Sequence, residues 1–441
     1  MDTRRGFLYQ AAMIGAGAAV LPQSLYSMGR QEAFGGFMLR KNSLSCFDEV
    51  MAGILKQGIV NTHAHHHIDS DVTEMSIEYI FSRTYVSWCG EGVPSSSGMV
   101  DKWLDKIGNR NYFFSLSRAL QKLYSMDEPV SGATWDEYNR RIKKAHENKL
   151  WHLEILQKIC RYNAVVQDAY WNPGNNNGHP EIFKPAFRIN CFLWGYNRED
   201  KDHNQNNAQL LYGQSIDDIK TYTDFMSRII KEKKEGGCSS LKSAIAYDRT
   251  IEINTSTAEE AQEALGVGKR KPSEAALRKF QDYIFDVICE TAAGLKMPVQ
   301  IHTGLGKMTG SNPMQLQSLI ARHPKTTFVL MHGGYPWLDD ICGLVHVYPN
   351  VIVDLCWLPL ISSSAAVRFL HELLEVCNAN KIVWGCDTWT SEESWGALFT
   401  MVEVLSAVLD EKISAGKLSA HNAIRLAEGI MCNNAKLWFC L

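Results

Sequence analysis

Short runs rich in Val, Ile and Phe recur along this chain, and four of them end in a histidine or an aspartate. Gly58-Ile59-Val60 leads into Asn61-Thr62-His63-Ala64-His65-His66-His67, Pro298-Val299-Gln300-Ile301 ends on His302, Phe328-Val329-Leu330-Met331 ends on His332, and Ile382-Val383-Trp384-Gly385-Cys386 ends on Asp387. Helical stretches separate the runs, and such alternation implies βαβ units and a parallel sheet. Strands are expected at 58–63, 164–169, 187–193, 240–246, 298–302, 327–332, 351–355 and 382–387. Eight parallel strands with intervening helices are what a closed TIM-type (β/α)8 barrel needs. An open doubly wound sheet is the competing arrangement, but no Gly-x-Gly-x-x-Gly fingerprint follows any of the runs.

The chain has 441 residues, enough for one barrel with an insertion. The long gap between the first and second runs contains helical stretches at 103–107, 114–124 and 135–160, and we read about 70–162 as a helical insertion between strands 1 and 2. The Asn- and Gly-rich segment 172–179 is a candidate active-site loop. Residues 1–30 read as a twin-arginine export signal: Arg4-Arg5-Gly6-Phe7-Leu8 precedes a short, small-residue apolar run too short to span a bilayer, so a periplasmic or exported location is expected. With 45 basic and 48 acidic residues and a net charge of −3, capture of nucleic acid or of an anionic membrane surface is not expected. The 12 cysteines show no C-x-x-C pair, and Cys191, Cys356 and Cys386 sit inside apolar runs as small buried hydrophobes.

Side chains two apart on a strand share a face, so His63 and His65 can both point into the barrel as two arms of a metal site. Alone, a His-x-His pair is unspecific. In a barrel, however, the strand ends bearing His302, His332 and Asp387 converge on the same mouth. Four strands ending in ionisable groups are costly to bury unless those groups are paired or hold a cation.

The pattern His-x-His, His, His, Asp at successive strand ends resembles the amidohydrolase superfamily. More closely, the chain resembles the amidohydrolase-related domain that precedes a glutamine-synthetase-like domain in some fungal and plant proteins. Further segments carry this likeness: 241–247, Gln300-Ile301-His302-Thr303-Gly304-Leu305-Gly306, Ser311-Asn312-Pro313 and His332-Gly333-Gly334-Tyr335-Pro336. It covers the first strand and then about 236–395. No glutamine-synthetase-like segment follows, so the fused role is not expected here. The resemblance implies that His63, His65, His302 and Asp387 bind metal, and that Asp387 also accepts a proton from water activated by the ion. His332 would polarise the substrate or bind a second metal. Lys242 stands where some members carry a bridging carboxylated lysine, and anchoring a substrate carboxylate is the equal alternative. Zinc is the default ion, and manganese or iron suits the same ligand types.

Arg249, Tyr335, Trp357 and Trp389 are candidate substrate contacts, and Asp354 a candidate support behind the site. Arg188 is expected at the barrel's opposite end, and His66 and His67 outside the ligand set. The leading expectation is a hydrolase of an amide, ester or lactone of a small polar molecule. The alternatives are a uronate-isomerase-like isomerase, a metal-dependent decarboxylase, and a non-catalytic ligand-binding barrel. A homo-oligomer is compatible with any of these.

Overall fold

Eight short strands follow one another around a ring: β1 (Ile59–Ala64), β2 (Tyr162–Gln167), β3 (Phe183–Arg188), β4 (Ser240–Ser243), β5 (Val299–Ile301), β6 (Phe328–Leu330), β7 (Val351–Asp354) and β8 (Ile382–Val383). This computed structural model describes residues 44–72, 74–265 and 271–441; the expected export signal at 1–30 lies outside them. Each strand pairs in parallel with the next, in chain order. The ring is nearly closed by backbone bonds between β1 and the segment after β8: Thr62 N–H to the Trp384 carbonyl (3.1 Å), Asp387 N–H to that of His63 (2.9 Å) and His65 N–H to that of Thr388 (2.9 Å). The result is a TIM-type barrel. Among the described residues, no helix is long and apolar enough to cross a membrane.

The barrel interior is divided by polarity. Val60, Val166, Ala186, Val329, Ile352 and Val383 form an apolar floor, sealed by Ala435 and Phe439 of the C-terminal helix Asn434–Phe439. Above it, register aligns Arg188, Lys242 and Gln300 on β3, β4 and β5. Gln300 donates to the Thr62 carbonyl (2.8 Å) and accepts from Ser240 (3.0 Å). Strict alternation would set His63 on the face opposite Val60. A register irregularity between Asn61 and Ala64 switches that parity, so both residues face inward.

The third strand corrects the sequence reading. The run 187–193 is mostly apolar, yet β3 spans Phe183–Arg188, while Asn190–Leu193 is a buried helical turn. Pro185 disguises the strand, because proline normally argues against a central one. Its carbonyl is still used, accepting from Ser239 N–H at 2.9 Å. The shift moves Arg188 from the expected far end of the barrel to the mouth end of β3.

Helices Val100–Ile107, Asn111–Leu123 and Trp135–His146 occupy the span between β1 and β2. Asn111–Leu123 packs against Ser391–Ser414, the long helix after β8. Gly396 permits this approach, since a Cβ there would stand 2.8 Å from the Ser115 carbonyl oxygen. Ser115 and Thr400 hydroxyls bridge the same contact at 2.7 Å.

Candidate metal centre

Three of the expected ligands meet. His65 Nε2 lies 3.1 Å and His63 Nε2 3.5 Å from Asp387 Oδ1. The three ligand atoms stand within 4.8 Å of one another, and the residues are 1%, 6% and 3% exposed. His65 is oriented from behind, its Nδ1 lying 2.8 Å from the Asp168 carbonyl. Asp387 takes a left-handed backbone conformation (φ 56°), as do His332 (φ 64°) and Trp357 (φ 65°) at neighbouring strand ends. Non-glycine residues in this region cost about 1–3 kcal/mol each and cluster where function requires them.

His332 and His302 form the adjoining group. His332 Nδ1 is 3.8 Å from Asp387 Oδ2, and its Nε2 is 2.9 Å from His302 Nδ1. The other His302 nitrogen lies 2.6 Å from the Leu305 carbonyl. Thus the structure places His302 against His332 rather than in the trio around Asp387 Oδ1. Lys242 enters from β4, with Nζ 3.4 Å from His63 Nε2 and 2.7 Å from Met331 Sδ.

Burial sets the protonation states. It pushes His332 down to about 4 and holds His63 and His302 well below the usual imidazole range, with the Lys242 charge contributing at each. These imidazoles are therefore neutral near pH 7, the form that ligates a metal. Burial alone would raise Asp387, but the neighbouring histidines, His65 foremost, outweigh it and keep the carboxyl well below its ordinary range. Burial also lowers Lys242.

Several residues that sequence reasoning missed complete the surroundings. The Tyr85 hydroxyl donates to Asp387 Oδ2 at 3.1 Å. The Tyr247 ring lies 4.6 Å from that of His302. Asp168 pairs with Arg188, which also donates to Asn204 at 2.6 Å and lies over Tyr170. Among the expected contacts, Trp389 stacks on His65 at 5.2 Å and Trp357 lies 4.3 Å from Tyr85 and 5.5 Å from His332. Asp354 accepts from the Thr62 hydroxyl (2.6 Å) and the Cys356 N–H (2.9 Å), tying β7 to β1; burial lifts it to about 6.

Other expected residues lie apart. Arg249 is occupied by Gln281, Asp282 and the carbonyls of Thr250 and Glu252, so it anchors its loop to the helix Glu274–Leu295. Tyr335 is half-buried after the His332 turn, its N–H bonded to the His332 carbonyl (3.1 Å). His66 is buried against Ser394 (3.4 Å), and His67 lies 3.9 Å from Asp71. The 172–179 loop reaches the end of β1, where Asn177 donates to the His66 carbonyl at 2.6 Å.

A cation suits this arrangement. Asp387 Oδ1 is buried and, among the described residues, has no hydrogen-bond partner, although two imidazoles face it. Leaving a buried carboxylate oxygen unpaired is costly, and a divalent ion shared with two neutral imidazoles removes that cost. Two nitrogens and one carboxylate oxygen form a donor set for zinc, manganese or iron.

Residues 245–425 match the family model described as amidohydrolase. A relative in Emericella nidulans, the protein named fluG, is 35% identical over 144 residues, covering 31% of this chain and 17% of that protein. The matches span less than a fifth of the curated relatives' lengths. Among solved structures, a Thermotoga maritima uronate isomerase superposes with a TM-score of 0.71 at 15% identity, covering 93% of this chain and 99% of that one. A structure described as a metal-dependent hydrolase from Lactobacillus casei gives 0.64 at 16% identity, covering 87% and 95%. At such identities, the two structures share the fold.

Proposed function

We propose that this chain, whose residues 245–425 match the amidohydrolase family model, is a metal-dependent hydrolase of an amide, ester or lactone in a small polar substrate, with a divalent ion held by His63, His65 and Asp387. The observation that carries this reading is the convergence of three buried ligand atoms from opposite ends of the sequence onto one point. The ion, zinc by default, supplies Lewis acidity and lowers the pKa of water to about 7. The protein's own groups do the rest. Asp387, ionised at neutral pH, accepts a proton and returns it to the leaving group, while the Tyr85 hydroxyl orients its Oδ2. His332, neutral and with its one proton turned toward His302 Nδ1, presents Nδ1 as an acceptor toward the site. Lys242 anchors a substrate carboxylate or becomes carboxylated, alternatives that NMR after labelled-bicarbonate loading separates. Tyr85, Trp357 and Trp389 wall the site against bulk water.

A second reading, uronate isomerisation, is favoured by the superposition of a uronate isomerase on 93% of the chain. Incubating the metal-loaded protein with lactones, acylated amino acids and uronates in isotopically labelled water distinguishes the two. Label entering a cleaved product supports hydrolysis. An isomerised uronate with no cleavage supports the second reading, and turnover of none of these substrates contradicts both. Export through residues 1–30 belongs to the same proposal; it fails if the expressed full chain stays entirely cytoplasmic in a host with a twin-arginine pathway.

A further inference from the structure

The carboxylate of Asp387 faces two groups of side chains. Its Oδ1 lies toward His63 and His65, and its Oδ2 lies 3.8 Å from His332 Nδ1. A third residue joins the second group. Cys356, just past β7, brings its Sγ within 4.8 Å of ligand atoms of both His332 and Asp387. His332, Cys356 and Asp387 are 1%, 0% and 3% exposed. Their strand ends belong to β6, β7 and β8, which are adjacent in the ring. The next residue, Trp357, is in the left-handed conformation (φ 65°), so the chain turns sharply where the thiol is presented. Ligands about 2.0–2.3 Å from a tetrahedral ion stand about 3–4 Å from one another; here His332 Nδ1 and Asp387 Oδ2 are 3.8 Å apart and all three ligand atoms lie within 4.8 Å.

We propose that Cys356, with His332 and Asp387, forms a second metal site, in which a thiolate ligand selects a thiophilic ion and Asp387 bridges it to the ion held by His63 and His65. On binding, the Cys356 thiol loses its proton to solvent and the sulfur lone pair forms the bond to the cation; no electron is transferred. Thiolate sulfur favours zinc, cobalt or cadmium over magnesium or calcium. The inference rests on the reading that the first trio holds an ion, and its test separates the two.

The full chain is stripped with chelator and titrated with Co2+, following bound cobalt per chain and the sulfur-to-cobalt charge-transfer absorption. The expected result is two equivalents and a thiolate band. Cys356→Ser is expected to bind one equivalent without the band. Cys386→Ser is expected to keep both, because Asn61 and Thr388 hold that thiol at 2.8 and 2.9 Å in a separate network. X-ray absorption on the wild-type cobalt protein, which depends on no variant folding, is expected to show sulfur in the coordination shell. One equivalent with neither band nor sulfur scattering overturns this proposal alone, as does a band that persists in Cys356→Ser. No bound cobalt at all overturns the reading of the first site as well.

Discussion

Asp387 is the residue on which the site turns, because each of its oxygens faces a different group of side chains. Asp387→Asn preserves shape but removes the charge, and is expected to lower kcat at least 100-fold, the usual scale for losing an acid–base group. Steady-state kinetics on the substrate found by screening checks this; retention of more than a tenth of the activity contradicts it. Tyr85→Phe removes only the 3.1 Å hydrogen bond to Oδ2. A hydrogen bond to a charged group contributes about 1.5–3 kcal/mol, so a fall in kcat of roughly 10- to 100-fold is expected, with metal content unchanged. Arg249 gives the converse case. Its guanidinium meets Asp282 at 2.7 Å in a buried pair, and breaking such a pair costs about 3–5 kcal/mol. Arg249→Leu is expected to lower the stability measured by denaturant unfolding by about that much and to leave the KM of the folded protein unchanged. A raised KM with undiminished stability would restore the substrate clamp that the sequence suggests.

At the scale of elements, the turn from β8 into the helix Ser391–Ser414 couples the site to the helical span. Thr390 caps that helix. Behind the cap, Glu393 is buried, accepts from Trp389 N–H at 2.9 Å and is bonded by the Tyr112 hydroxyl. Burial pushes Glu393 up to about 8. The folded protein therefore retains a proton that the unfolded chain releases near its ordinary 4.5. The associated stability is complete below pH 4.5 and is lost as pH rises from about 4.5 to 8, with a slope of up to about 1.4 kcal/mol per pH unit. Glu393→Gln is expected to remove this slope; unfolding free energies for both proteins at pH 5, 6, 7 and 8 test it, and identical slopes contradict it. The same scale shows why most strands were legible and one was not. β1, β5, β6 and β8 carry short apolar runs ending in polar residues, a local pattern that sequence displays directly. β3 contains Lys184 and Pro185, while the more apolar run beside it becomes a helical turn. Tertiary pairing with β2 and β4, not local preference, decides that segment.

For the whole molecule, the barrel topology explains what the sequence reveals about the site. Ligands at strand ends can be read locally, since a parallel barrel brings every such end to one mouth. Their companions are not local. Tyr85 comes from the helical span, Asp168 lies just past β2, and Arg188 requires the correct β3 register. Cys356 reads as a small hydrophobe in sequence, and only the curvature of the ring sets its sulfur beside His332 and Asp387. If a cation links β1 to the segment after β8, where the ring is closed by few backbone bonds, the ion also steadies the fold. At an ion concentration 100 times its Kd, linkage adds about 2.7 kcal/mol, so chelation is expected to lower the thermal midpoint reversibly. An unchanged midpoint after verified metal removal contradicts that role. The central claim is tested most directly by elemental analysis of the purified, metal-loaded full chain beside His63→Ala, with circular dichroism confirming that both are folded. The account predicts at least one tightly held divalent ion per wild-type chain and its loss or marked weakening in the variant. A wild-type protein that holds no stoichiometric metal, or a folded variant that holds it equally well, would contradict the account.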